Sequence, residues 1–258
     1  MSRASCPALS ALLLAHGPLE FAFFVSSILS AGALPFLLRV RGVQRNAGSE
    51  HESFTSQILA GLQYAQTHTG IRLIFGYTIL NGMLGRSTVE LLPGISGSLL
   101  NGDAQTLAVL TAAAACGAIL AGIIVSRFGS DESKLLALVS IALAMSCLCL
   151  LIFSIFNSLP GFSALIMLLA CATTCASMGC QTLTQLLISE QFRGRVISLW
   201  TTLAMGVPAI GAMLMGGLAD ILSFPPVLTG FSILGAACVA ILYKKRYTLT
   251  SSKSRQNH

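Results

Sequence analysis

The sequence predicts an all-α membrane protein, a polytopic helical bundle of about seven full transmembrane helices. Three observations predict it. First, 54% of the 258 residues are hydrophobic and only 9% are charged, with a mean hydropathy of +0.80. Soluble domains carry about 25% charged residues, and a chain this poor in charge could not cover its own surface with polar groups in water. Second, long runs contain no charge at all: 104–126, 135–189, 196–219 and 221–243. Third, every Lys and Arg apart from Arg3 and Arg86 falls on one side of the bilayer if the spans alternate. Spanning segments of this kind must be helices, because lipid offers the backbone no hydrogen-bonding partner.

A span needs about 20 apolar residues to cross a hydrocarbon core of about 30 Å. Along the chain, "PALSALLLA" (7–15) is too short. Arg3 before it suggests a signal-peptide core, but "HGPLEF" follows in place of a small-residue cleavage site. It reads as the end of a helix. The first full span is 20–38. Residues 40–70 form a polar linker, "RGVQRNAGSEHES", that turns amphipathic in "FTSQILAGLQYAQTHTG". Phe54, Ile58, Leu62 and Tyr64 suit an interfacial helix, and His51 and His68 read as solvated loop residues. The remaining spans are 72–92, 104–126, 135–156, 162–187, 197–219 and 224–243. "NSLPG" (157–161) breaks the longest uncharged run into a hairpin. Positive charge marks the cytoplasmic side, which places the C-terminus and the long linker inside.

Function classes narrow quickly. The chain lacks a phosphate-binding glycine loop, HExxH, CxxC and GxSxG, and no enzyme is expected. The eight cysteines lie almost all in apolar runs with no His or carboxylate at ligand spacing, so they read as soft packing residues rather than a metal site. Cys171 and Cys175 share a helix face, with Cys180 a turn on. No cofactor and no nucleic-acid partner is expected; the net charge of +6 comes from the cytoplasmic anchors.

Two constellations stand out. In "NGMLGRSTVELLPG" (81–94), Arg86 and Glu90 lie four apart, hence on one helical face. Counting from Arg72, Arg86 lies about 21 Å into the span, where a charge must be paired or face water. Either the two neutralise each other and lock the helix to a neighbour, or they line a hydrated pathway. Asn81 belongs to the same helix, and Pro93 is expected to end it. In "ATTCASMGCQTLTQLL", Thr174, Ser177, Gln181 and Gln185 recur on one face. Such a face points at partner helices or a cavity, not at lipid. Gly206, Gly211, Gly216 and Gly217, and likewise Gly117, Ala121 and Gly122, would let helices approach closely.

"QFRGRVISLWTTLAMGVPAIGAMLMGGLAD" (191–220) resembles the loop and eleventh helix of major facilitator superfamily transporters, in the subgroup of enterobactin exporters and related drug-efflux permeases. Glu190, Arg193, Gly194, Arg195 and Val196 match that subgroup's acidic residue and "RGRV". "GRSTVELLPG" resembles its seventh helix, "ILAGLQYAQTHTGIR" the segment entering that helix, and 7–39 the end of helix five and helix six. The resemblance implies the C-terminal half of a two-half secondary transporter: 1–39 from helices five and six, 40–70 the cytoplasmic linker, 71–246 the six-helix half, and 247–258 a cytoplasmic tail. It implies efflux of a small drug-like or siderophore-like molecule by alternating access, in a bacterial inner membrane, with the lipid bilayer, the cargo and a missing N-terminal half as partners. The substrate pathway would comprise Arg86, Glu90, Asn81, Thr174, Ser177, Gln181 and Gln185. The cytoplasmic gating loops would comprise Arg127, Asp131, Glu190, Arg193 and Arg195. Ser126 stands where the family often has an acidic residue, and Asp131 is its substitute. The rival reading is a non-transporting membrane half-protein, a relic or a partner subunit.

Overall fold

A computed structural model describes residues 68–100, 102–128, 131–153, 159–188 and 192–256, with Ile28 and Gly32; side chains are described to Lys244. The chain divides into two compact units, Met1–Gln57 and Ile58–His258, and all the described residues except Ile28 and Gly32 lie in the second. The first predicted span apart from Ile28 and Gly32, most of the linker and Glu190 lie outside the described residues.

Every described element is a helix. In chain order they are α1 (Thr69–Asn81), a π-helical turn (Gly82–Arg86), α2 (Ser87–Glu90), α3 (Leu92–Leu100), α4 (Ala104–Phe128), α5 (Glu132–Phe153), α6 (Leu159–Leu187), α7 (Arg193–Leu222) and α8 (Phe224–Gln256). Five helices are long and apolar enough to cross a membrane: α4, α5, α6, α7 and the Phe224–Lys244 part of α8.

The predicted span 72–92 is where the structure departs furthest from expectation. Instead of one helix ending at Pro93, the backbone runs through α1, the π turn, α2 and α3. Leu91 leaves helical geometry at φ −84°, ψ 3°. Pro93 follows as the second residue of α3, in a first turn, where a missing N–H has no partner to lose. Bonds from Leu91 N–H to the Ser87 carbonyl (3.0 Å) and from Ile95 N–H to the Leu91 carbonyl (2.9 Å) carry the chain across. Residues 93–100, expected in a loop, are therefore helical. The same reasoning explains the starts of α6, with Pro160 in its first turn, and of α8, with Pro225 and Pro226. Ser223, at φ 67°, turns the chain between α7 and α8. The "RGRV" stretch opens α7 rather than forming a loop.

The core centres on α6, whose Phe162, Ile166, Leu169 and Leu183 are fully buried. The rings of Phe153 and Phe162 meet edge-on with centroids 4.6 Å apart. A Cβ on Gly117 would stand 2.1 Å from the Met167 carbonyl, so α4 and α6 touch backbone to backbone. Water-driven burial does not hold helices together in lipid; close packing of this kind does. On the other side α5 packs on α6. The Ser232 hydroxyl of α8 donates to the Cys147 carbonyl of α5 at 2.7 Å.

Candidate functional site

The polar side chains of α1 reach three different helices. Tyr77 Oη and Ser140 Oγ of α5 share a hydrogen bond at 3.1 Å. Trp200 Nε1 of α7 donates to Thr78 Oγ1 at 3.0 Å. Asn81 Nδ2 donates to Ser177 Oγ at 2.9 Å and to the Thr173 carbonyl at 3.2 Å, both on α6. Asn81 is buried, and its Oδ1 accepts no hydrogen bond.

The π turn begins directly after Asn81. Its two glycines are sterically required. A Cβ on Gly82 would meet Val207 and Pro208 of α7 at 2.9–3.2 Å, and one on Gly85 would lie 2.0 Å from Thr173 of α6. From α7, Gly211 lies against Met83 and Ser87, where a Cβ would have 3.0 Å to each. The turn is thus wedged between α6 and α7.

This backbone defect decides where the charges point. Five residues of ordinary helix, at about 100° each, would set Arg86 about 140° away from Asn81. A π turn absorbs one residue without advancing, so the separation falls to about 40° and Glu90 follows on the same side. Arg86 and Glu90 form an ion pair, Nε to Oε1 at 3.5 Å, with side chains 56% and 42% exposed.

α1 and α6 run antiparallel. Gly70 lies beside Leu187, Asn81 beside Ser177 and Thr173, and Gly85 beside Thr173. From the Asn81–Ser177 contact, Gln181 and Gln185 therefore extend toward one end of the seam, and Arg86 and Glu90 toward the other. At 1.5 Å per residue the line from Gln185 to Glu90 covers about 25 Å, most of a hydrocarbon core. Thr174 and Ser177 are half-buried, whereas Gln181 and Gln185 are exposed. The structure thus brings Asn81 to Ser177 and Arg86 to Glu90, and strings the glutamines along the same face of α6 as Ser177.

The loop residues have local roles. Asp131 Oδ1 accepts from Ser133 Oγ (2.8 Å), Ser133 N–H (3.2 Å) and Lys134 N–H (3.3 Å), capping α5. Its Oδ2 lies 3.1 Å from Lys134 Nζ. The Ser133 hydroxyl first, then Lys134, hold its carboxyl down at about 2. Asp131 is thus engaged by Lys134, not Arg127, which is exposed. Arg193 is exposed and Arg195 half-buried, both in the first turn of α7. Asp103 caps α4 in the same way as Asp131 caps α5, through Thr106 N–H (2.9 Å) and Oγ1 (3.1 Å), and these bonds lower its carboxyl's pKa. Among the described residues, no three His, Cys, Asp or Glu side chains gather to hold a metal.

Sequence reasoning missed Tyr77, Thr78, Thr173, Ser140 and Trp200 as anchors. The available signal was that Tyr77, Thr78 and Asn81 cluster within one apolar helix, where polar groups mark interhelical contacts.

A bundle of apolar helices with a polar seam down one contact defines an integral, multi-pass membrane protein. The family model for transmembrane secretion effectors, a branch of the major facilitator superfamily, matches residues 1–258, and the chain belongs to that family. It is a family of transporters. No curated protein matches the chain significantly.

Proposed function

We propose that the chain forms the C-terminal part of a two-half efflux transporter of the enterobactin-exporter and drug-permease kind, and that the polar seam is one wall of its substrate pathway. The observation that carries this reading is the line Gln185, Gln181, Ser177, Asn81, Arg86 and Glu90, about 25 Å long, in an otherwise oily bundle. In lipid such a line is costly unless it faces water or a partner. Thr174 adds a hydroxyl beside it. The cargo is a small drug-like or siderophore-like molecule, taken up between this wall and a second one contributed by an N-terminal half.

In this reading seven spans cross a bacterial inner membrane with the C-terminus in the cytoplasm. Arg127, Asp131, Glu190, Arg193 and Arg195 lie on the cytoplasmic side and close it through loop contacts. Glu90 is the carboxylate available within the seam for coupling to protons.

The test is export of fluorescent drug-like dyes by the complete transporter carrying Arg86→Ala and Glu90→Ala together. Export falling at least tenfold at unchanged membrane abundance is expected. Unchanged export would remove these two residues from the pathway.

A further inference from the structure

The π turn exposes a backbone question that the pathway reading does not answer. In an unbroken α-helix the N–H of Ser87 would bond the Met83 carbonyl. Here it bonds the Gly82 carbonyl instead. The Met83 carbonyl would be left without that partner in a part-buried contact, where an unmet polar group is costly. It receives the Ser87 hydroxyl, at 2.6 Å. Ser87 is fully buried; its Oγ also lies 3.2 Å from the Leu84 carbonyl and 3.5 Å from Met215 Sδ.

We infer that Ser87 is a positioning residue: its hydroxyl replaces the hydrogen bond lost at the π turn and so holds the register that aims Arg86 and Glu90 along the seam. Ser87 touches neither charge. Without the hydroxyl, the helix escapes the stranded carbonyl by slipping one residue into plain α geometry. Everything from the turn to Leu91 then rotates by about 100°. Gly85 takes the place of Arg86, and Val89 the place of Glu90. The slip is bounded at Leu91, which has already left helical geometry at ψ 3°, and it requires Thr173 to turn its methyl group aside, because Leu84 then enters the slot that Gly85 now clears.

The defect can also be repaired by shortening the chain. Deleting Met83 removes the stranded carbonyl and converts the Ser87–Gly82 bond into an ordinary i to i−4 bond in the same place. Gly82 and Gly85, which the neighbouring helices require, are both kept. In that shortened chain the Ser87 hydroxyl has nothing left to do.

The experiment adds one cysteine, at Glu90 or at Val89, to the full chain carrying Cys116→Ser, with its other native cysteines kept. Labelling by a water-soluble maleimide in membrane vesicles is compared with the same chain lacking the added cysteine. With Ser87→Ala, labelling at 90 falls about tenfold and labelling at 89 rises, as an equilibrium shifted by one unmet carbonyl demands. Deleting Met83 in the Ser87→Ala chain restores labelling at 90. If Ser87→Ala alone fails to fold, the Met83-deleted chain still decides: it folds and labels at 90 with or without the hydroxyl. Unchanged labelling at 90 in Ser87→Ala, a fall without the rise at 89, or no rescue by the deletion overturns the inference. The inference rests on the pathway reading only for its importance to transport. Labelling reports register, whereas export by the Arg86 and Glu90 variants reports the pathway, so the two fail separately.

Discussion

Helix α4 and the broken run from α1 to α3 solve the same problem in opposite ways. Both sit against α6 in an apolar bundle. α4 is one unbroken helix of 25 residues, apolar over nearly its whole surface, and it meets α6 through a glycine with nothing between the backbones. The α1–α3 run carries Asn81, Arg86 and Glu90, is interrupted twice, and is tied to its neighbours by side-chain hydrogen bonds. A smooth helix suffices where the contact is only structural. Irregular backbone in a membrane protein is tolerated where protein or water covers it, and it collects where polar groups must be aimed.

Substitutions that exchange these two strategies test the contrast. The largest effect is expected at Gly117. A leucine there must force α4 off the Met167 carbonyl, and stability in detergent unfolding should fall by about 3 kcal/mol. Gly122→Leu, five residues on and facing open space, should change it by less than about 0.5 kcal/mol. Equal effects at the two sites would mean that the backbone contact is not what holds α4. Next comes Asn81→Leu. It removes two interhelical hydrogen bonds worth about 0.6 kcal/mol each, but also removes the unpaired Oδ1, whose burial is itself costly. The expected change in stability is within about 1 kcal/mol, measured in the same assay, while dye export drops sharply. A large loss of stability would make Asn81 a structural pin and nothing more.

The smallest effect concerns the cap on α5. The Asp131 carboxyl is lowered from its ordinary 3.8 to about 2 by Ser133 and Lys134. Its contribution is present above pH 3.8 and is lost as pH falls toward 2. Asp131→Asn should flatten this part of the stability profile and lower stability slightly at pH 7, where the carboxylate's contribution is fully present. A profile identical to that of the parent chain below pH 4 would show that the cap contributes nothing.

Much of this was legible in the residues. The spans at 104–126, 135–156, 162–187, 197–219 and 224–243 correspond to α4–α8, because a charge-free run of that length has one solution in lipid. The sequence puts some of their starts up to four residues late, because Asp131, Pro160 and Arg193 read as loop residues yet cap or open helices. The π turn was not legible. Nothing in "NGMLGR" (81–86) announces it except two glycines, and their need arises from Val207, Pro208 and Thr173 on other helices. Spacing correctly paired Arg86 with Glu90, because Arg86, at the end of the π turn, already has α-helical dihedrals that continue into α2. Spacing could not relate them to Asn81, because one absorbed residue rotates the face by about 100°. The meeting of Asn81 with Ser177 likewise required the antiparallel packing of α1 on α6, which the sequence leaves open.

If the seam on α1–α3 and α6 is a pathway wall, it meets water while α4 meets lipid. The most direct measurement adds one cysteine at a time at Gln185, Gln181 and Glu90, and at Ile119 and Ile123 of α4, to the chain carrying Cys116→Ser, and compares their reaction with a water-soluble maleimide in native membranes against the chain with none added. Both isoleucines are about as exposed as Glu90, at 48% and 49%, so accessibility of the bare fold does not separate the sets. The account predicts rapid reaction at the three seam positions and none at the two on α4. Equal reaction in both sets, or an unreactive seam, would contradict it.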